Sequence, residues 1–284
     1  MASRRQTWLA AHPYLEPIAR FQGVVDEAAE RGPPARVEAP SWERYAPDQA
    51  AGVPLLGSAS AGVDFSAAAA EALDDLTRRV AGAALPGRMG DACREIREAL
   101  RGPEDRRRAV EWIAGGTPAE PPSPHPGLLR FLAWTAARRV LEPVVEGSVR
   151  WSDERRWGRG YCPTCGAFPL SAQLASAESA RPRFLACGCC RTRWQFRRLG
   201  CPFCGNETQD HLGILQVEGE EGLRIDVCDE CRGYVKTYTD EGDEALFLAD
   251  WPTLHLDVLA VRRGFERVGA SLYELPKDER RTEP

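Results

Sequence analysis

The sequence predicts an α+β fold: a helical N-terminal domain, two tandem rubredoxin-like or zinc-ribbon metal modules, and a C-terminal helix. Three observations carry that prediction. Apolar residues recur at helical spacing through the first 150 residues. Nine of the ten cysteines then crowd between Cys162 and Cys231, eight of them as Cys-x-x-Cys pairs. Around those pairs helical periodicity gives way to short alternating runs. The boundaries read as 1–150 for the helical domain, 151–200 and 201–240 for the two modules, and 241–284 for the C-terminal helix and tail.

In the helical part, Ile18, Phe21, Val24, Val25 and Ala28 mark one amphipathic helix. Phe65, Ala69, Leu73, Leu76 and Val80 mark another, with Asp64 as its expected N-cap. Between them, Pro33, Pro34, Pro40 and Pro47 predict an irregular connection from Arg31 to Val63. Further helices are expected from Asp91 to Leu100, with Pro103 as an end or kink, and from Glu104 to Ile113. The five prolines between Gly115 and Gly127 predict a linker. The run Leu128 to Val145 is apolar nearly all round, which places it at the centre of a helical bundle, with Pro143 kinking or ending it. In the cysteine region, Leu212 to Val217 and Leu223 to Val227 read as strands. Pro252 to Gly264 reads as a closing helix, with proline in its first turn and glycine at its end.

The pairs are Cys162/Cys165, Cys187/Cys190, Cys201/Cys204 and Cys228/Cys231, and they repeat. Cys162 to Cys201 is a shift of 39 residues and Cys187 to Cys228 one of 41. The decorations match as well, Cys162-Pro-Thr-Cys165-Gly166 against Cys201-Pro-Phe-Cys204-Gly205. A duplicated unit closes its own site, so the first pair is expected to join the second, and the third the fourth. Each set offers four thiolates to one metal ion, two ions per chain. Four thiolates leave no open coordination position, which argues against a hydrolytic centre. Sulfur ligation by itself is compatible with zinc or iron. Cys189 falls inside the second pair and breaks the repeat, Cys93 reads as a small core residue, and none of His12, His125, His211 and His255 is assigned to metal.

Composition narrows the function. A net charge of −5 argues against a dedicated nucleic-acid binder, and no run approaches the ~18 apolar residues of a membrane span. Ser3-Arg4-Arg5 looks like a twin-arginine signal, but His12, Pro13, Glu16 and Pro17 interrupt the apolar run such a signal needs. A cytoplasmic protein is expected, its cysteines reduced and metallated. Charge is uneven between the modules: residues 150–200 carry a net +7 and residues 201–240 a net −6. That polarity suggests either two complementary packed faces or a basic surface for a partner.

The order Cys162-Pro-x-Cys165-Gly166-x-x-Pro169, then Cys187-x-x-Cys190-x-x-x-Trp194-x-x-x-Arg198-x-x-Cys201-x-x-Cys204-Gly205, then Cys228-x-x-Cys231-x-x-Tyr234-x-Lys236, closes with Thr253-Leu254-His255-Leu256-Asp257 and Gly264-Phe265. This pattern resembles the FdhE family of formate dehydrogenase accessory proteins, from about Trp151 to Phe265. The resemblance implies two rubredoxin-like modules after a helical domain, iron in preference to zinc, and a non-enzymatic role in maturing formate dehydrogenase by contacting its catalytic subunit. Arg191, Arg193 and Tyr234, beside the knuckles, are the expected partner contacts. The alternative is a zinc-ribbon nucleic-acid binder resting on the basic first module and on Trp151, Trp157 and Trp194.

Overall fold

The computed structural model describes residues 3–32, 37–85, 88–115, 120–151, 157–175, 182–239, 244–247, 249–269, 271 and 273. The helical part comprises α1 (Arg4–Ala11), α2 (Glu16–Glu30), α3 (Trp42–Ala51), α4 (Ser66–Ala81), α5 (Arg88–Ala99), α6 (Pro103–Ile113) and α7 (Pro126–Trp151). α4 lies against α2, α5, α6 and α7, so its apolar stripe of Ala69, Leu73, Leu76 and Val80 is buried on several sides.

Several boundaries differ from the sequence reading, each for a local reason. The segment that mimics an export signal is α1, capped by Ser3, whose hydroxyl accepts from the Gln6 N–H while the Gln6 side chain accepts from the Ser3 N–H. The expected connection from Arg31 to Val63 contains α3. Pro47 sits inside that helix, which buries Tyr45 and ends at Gly52 in the left-handed region (φ 85°). Asp64 lies one residue before the cap position of α4 and accepts from the Ser66 N–H at 2.9 Å. Pro103 neither ends nor kinks a helix but opens α6, where its missing N–H costs nothing. α7 runs through Pro143 to Trp151, because neighbours pack along nearly its whole length and outweigh one lost hydrogen bond.

The cysteine region forms one six-stranded sheet. β1 (Ser171–Leu174), β2 (Arg183–Ala186) and β3 (Arg193–Phe196) make an antiparallel meander, and β4 (Leu212–Gln216), β5 (Leu223–Cys228) and β6 (Tyr234–Tyr238) make a second. The sheet order is β3-β2-β1-β6-β5-β4, so the first strand of one module pairs with the last strand of the other. That junction is the parallel pairing of β1 with β6, Ser171 opposite Lys236. Every residue of these two strands is buried.

The helices and the first module share a core in which Leu129, Leu132 and Val140 of α7 join Cys162, Cys187, Cys190 and Trp194. Backbone bonds reinforce the contact: the Leu55 and Leu56 N–H groups donate to the Pro163 and Thr164 carbonyls at 2.8 Å each. The second module is covered by α8 (Glu244–Phe247) and α9 (Leu254–Arg262), with Ile225, Tyr234, Phe247, Leu256 and Phe265 between them. α9 starts two residues later than Pro252, since Trp251–Thr253 form a 3-10 turn, and it gives way to Gly264 at φ 82°. Among the described residues no helix is long and apolar enough to cross a membrane.

Under α9 lies a buried ionic cluster. Lys236 Nζ donates to Asp250 at 2.5 Å and to Asp257 at 2.8 Å. Arg267 donates to both Asp250 oxygens at 2.8 Å, and Tyr234 to Asp257 at 2.8 Å. Burial alone would raise the Asp250 carboxyl, but Arg267 and Lys236 hold it well below the usual carboxylate range.

Candidate metal centres

All four Cys-x-x-Cys turns close in the same way. The N–H of each first cysteine donates to the carbonyl five residues on: Cys162 to Ala167, Cys187 to Thr192, Cys201 to Asn206 and Cys228 to Gly233, at 2.8–3.0 Å. Bending the chain back this far puts the residue after each second cysteine at positive φ. Glycine fills that position twice (Gly166 at 79°, Gly205 at 78°) and arginine twice (Arg191 at 64°, Arg232 at 58°). The turn also aims amides at sulfur: Thr164 and Cys165 N–H at Cys162 Sγ, and Phe203 N–H at Cys201 Sγ, at 3.4–3.5 Å. Such amides stabilise thiolate charge.

The turns face one another in the order the repeat implies. Cys162, Cys165, Cys187 and Cys190 form one set and Cys201, Cys204, Cys228 and Cys231 the other, the sulfurs of each set lying within 4.8 Å of one another. Across the first set Cys162 and Cys190 are 3.5 Å apart and Cys165 and Cys187 3.4 Å. Across the second, Cys201 and Cys231 are 3.6 Å apart and Cys204 and Cys228 3.8 Å. A tetrahedral ion with metal–sulfur bonds of about 2.3 Å spaces its sulfurs by about 3.8 Å, whereas a disulfide needs about 2.0 Å. The two sets therefore have the donors and the spacing to hold two metal ions.

Their electrostatics point the same way. Burial pushes the Cys162 thiol well above its ordinary value. For Cys187 burial opposes ionisation, yet hydrogen bonds from Cys162, Cys165, Cys189 and Cys190 bring it well below. Without a cation, such a set stabilises one thiolate among thiols; a divalent ion lets the rest ionise. The second set is more open, with Cys204 exposed. Asn206 Nδ2 approaches Cys228 Sγ at 3.9 Å, while in the first set Thr192 Oγ1 lies 3.1 Å from Cys190 Sγ and donates to Thr164 at 2.8 Å.

Cys189 stays outside both sets; it is buried, and its carbonyl accepts from Arg138 Nε at 2.8 Å. Cys93 sits in the helical core, where burial pushes its thiol up to about 11. The uneven charge is used between the modules: Arg183 reaches Asp226 at 3.3 Å and Arg197 pairs with Glu207.

The expected partner contacts separate. Arg191 is exposed beside a cleft of about 760 Å³ that Arg5, Asp26, Arg138, Arg139 and Cys190 also line. Arg193 is partly buried, stacked over Phe184 at 5.2 Å and bonded to Gln173. Tyr234 corrects the sequence reading. It is 3% exposed and belongs to the core beneath α9, because both faces of β6 are covered. The aromatic platform of the nucleic-acid alternative is likewise missing: Trp157 and Trp194 are buried, and Trp151 stacks on Trp42 at 5.2 Å.

The four histidines each face a carboxylate. His125 and His211 pair with Glu95 and Glu230 near the surface. His12 and His255, far apart in the chain, meet at one carboxylate, Glu220, and the three form a metal-competent group. No local spacing signals this, because the three residues sit on three separate elements.

Comparison with known proteins completes the description. The chain is 32% identical over 178 residues to a protein FdhE homolog of Stutzerimonas stutzeri, covering 60% of this chain and 55% of that one. It is 30% identical over 144 residues to the homolog of Aquifex aeolicus, covering 50% of each. The crystal structure of the FdhE protein from Pseudomonas aeruginosa shares the fold, with a TM-score of 0.62 over 92% of this chain and 88% of that one at 21% identity. No family model matches the chain. The chain spans about half the length of the curated relatives it matches. With four knuckles of one design around one sheet, the chain is similar to FdhE proteins in sequence over about half its length and shares the fold of one of them.

Proposed function

We propose that the protein is a non-catalytic, cytoplasmic accessory factor in the maturation of formate dehydrogenase. It holds one metal ion on Cys162, Cys165, Cys187 and Cys190 and another on Cys201, Cys204, Cys228 and Cys231, and it binds the catalytic subunit of that enzyme. The observation that carries this reading is the pair of closed four-sulfur sets around one sheet, together with the similarity to FdhE homologs. Four sulfurs around each ion leave no position for substrate. Iron, favoured by the family resemblance, would supply a one-electron centre; zinc would supply rigidity alone.

The partner surface is proposed to include Arg191, which lines the cleft between α2, α7 and the first module, and the partly exposed Arg193 on β3. The turn bearing Arg191 is held by its backbone closure, so that contact is pre-organised. The test is capture of the catalytic subunit by wild type, Arg191→Glu and Cys201→Ser. Arg191→Glu preserves the backbone requirement and reverses the charge, so association should slow and become less salt-dependent, with little change in dissociation. Loss of capture with Cys201→Ser is expected. Equal capture by all three proteins would remove the metal modules from the contact, and recovery of nucleic acid in place of the subunit would defeat the proposal.

A further inference from the structure

Three side chains from distant parts of the chain converge away from both cysteine sets. His12 is the C-cap of α1, Glu220 lies in the turn between β4 and β5, and His255 is in the first turn of α9. His12 Nε2 lies 3.0 Å from one Glu220 oxygen and His255 Nε2 2.8 Å from the other. The imidazoles face each other at 5.3 Å between centroids and 28° between planes. The side chains are 12%, 11% and 16% exposed for His12, Glu220 and His255, so water gives the carboxylate little screening.

Proton placement shows what the group is short of. His12 Nδ1 lies 3.0 Å from the Trp8 carbonyl, which accepts and cannot donate, so Nδ1 carries the hydrogen. In a neutral ring, Nε2 then presents a lone pair to a carboxylate oxygen, acceptor against acceptor. On His255, Nδ1 is buried without a partner while Nε2 also faces Glu220. A cation between the two Nε2 atoms and the carboxylate resolves the His12 conflict, and the Trp8 carbonyl is the kind of outer partner that orients a ligating imidazole.

We propose that His12, Glu220 and His255 bind a divalent cation of the zinc class at a site independent of the cysteine sets. Two imidazoles and a carboxylate suit zinc, nickel, cobalt or ferrous iron and leave a fourth position for water or an exchangeable ligand. A tetrahedral ion with bonds of about 2.1 Å spaces its donors by about 3.4 Å, so the nitrogen–oxygen pairs need open by only a few tenths of an ångström.

The site also explains how α1 is held. This eight-residue helix is too short to persist alone and buries no residue fully. Its anchors are Trp8, whose Nε1 donates to the Pro252 carbonyl at 3.2 Å, Arg5 over the Trp251 ring at 5.2 Å, and His12. A bound ion would staple α1 to the second module and α9.

The experiment uses the full chain with its cysteine sets loaded with zinc and then titrated with cobalt(II). Wild type should take up one cobalt with weak d–d absorption and no thiolate-to-cobalt charge-transfer band, the mark of nitrogen and oxygen ligation. Glu220→Gln and His255→Gln should weaken that uptake at least tenfold, with unchanged far-UV circular dichroism. Hydrogen exchange in α1 should slow on adding zinc to wild type and stay unchanged in Glu220→Gln, a readout that does not depend on the cysteine assignment. Absence of cobalt uptake at micromolar metal, or equal uptake by the variants, would overturn the proposal. So would exchange that slows on acidification but ignores metal, since a protonated His12 paired with Glu220 would then be the whole explanation.

Discussion

Replacing Lys236 with Met removes one of two cations facing two buried carboxylates and leaves Arg267 alone with Asp250 and Asp257. Lys236, Asp250 and Asp257 are 3%, 2% and 0% exposed, so water cannot re-solvate the surplus negative charge. Asp250 keeps Arg267 and the Ser271 hydroxyl at 2.6 Å, and Asp257 keeps Tyr234 and Arg267 at 2.8 and 2.9 Å. Breaking a buried pair on one side costs about 3–5 kcal/mol, whereas disrupting an exposed pair such as Arg94 with Asp91 costs well under about 1 kcal/mol. At this chain length a kcal/mol corresponds to about 2 °C, so Lys236→Met should lower Tm by roughly 6–10 °C. The pH dependence has a sign. In wild type Asp250 is depressed, so its contribution is fully present above the unfolded carboxylate value of about 4 and is lost as pH falls below it. In Lys236→Met the uncompensated charge raises a carboxylate, which takes up a proton in the folded state on acidification. The gap between variant and wild type should therefore narrow from pH 7 to pH 5. Urea unfolding followed by circular dichroism across that range measures both quantities. A cost below about 1 kcal/mol, or a gap that widens on acidification, would refute the reasoning.

The knuckle backbone makes a second prediction. Gly205→Ala places a Cβ in open space at φ 78°, so it should cost only the left-handed strain of about 1–2 kcal/mol in thermal unfolding, while Arg191→Gly, at φ 64°, should be neutral or stabilising by up to about 1 kcal/mol. Module packing makes a third: a Cβ on Gly160 would sit 1.8 Å from the Pro202 carbonyl oxygen, so Gly160→Ala should force the knuckles apart and cost more than about 2 kcal/mol. A fourth concerns metal release. With Cys204 exposed and the first set enclosed by the helical core, a chelator should strip the second set in a faster phase, and Cys204→Ser should remove that phase from the time course while leaving the slower one.

Much of this protein was legible in one dimension because its strongest signals are local. A Cys-x-x-Cys turn is determined within six residues by its own hydrogen bonds, so the pairs, their decoration and their duplication announce two sulfur sets before any folding is considered. The helices α2, α4, α5 and α6 likewise carry their buried faces at fixed spacing. α3 was hidden because Pro40 and Pro47 resemble a loop until Tyr45 is buried between its neighbours, where tertiary packing outweighs propensity. Five of the six strands are only four or five residues long, near the limit at which alternation registers, and of these only β4 was legible. The repeat implies two modules but says nothing of the parallel β1–β6 junction that merges them into one sheet, or of the core that runs from α7 into the first knuckle pair. The side chain of Tyr234, adjacent to a knuckle in sequence, is buried because α9 and the residues after it cover that face of β6. His12, Glu220 and His255 are farther still from local logic: 208 residues separate the first from Glu220 and 35 more separate Glu220 from the last. Sequence alone specifies groups whose partners lie within a turn or a repeat; groups whose partners arrive through long-range packing acquire their chemistry only when the chain closes on itself.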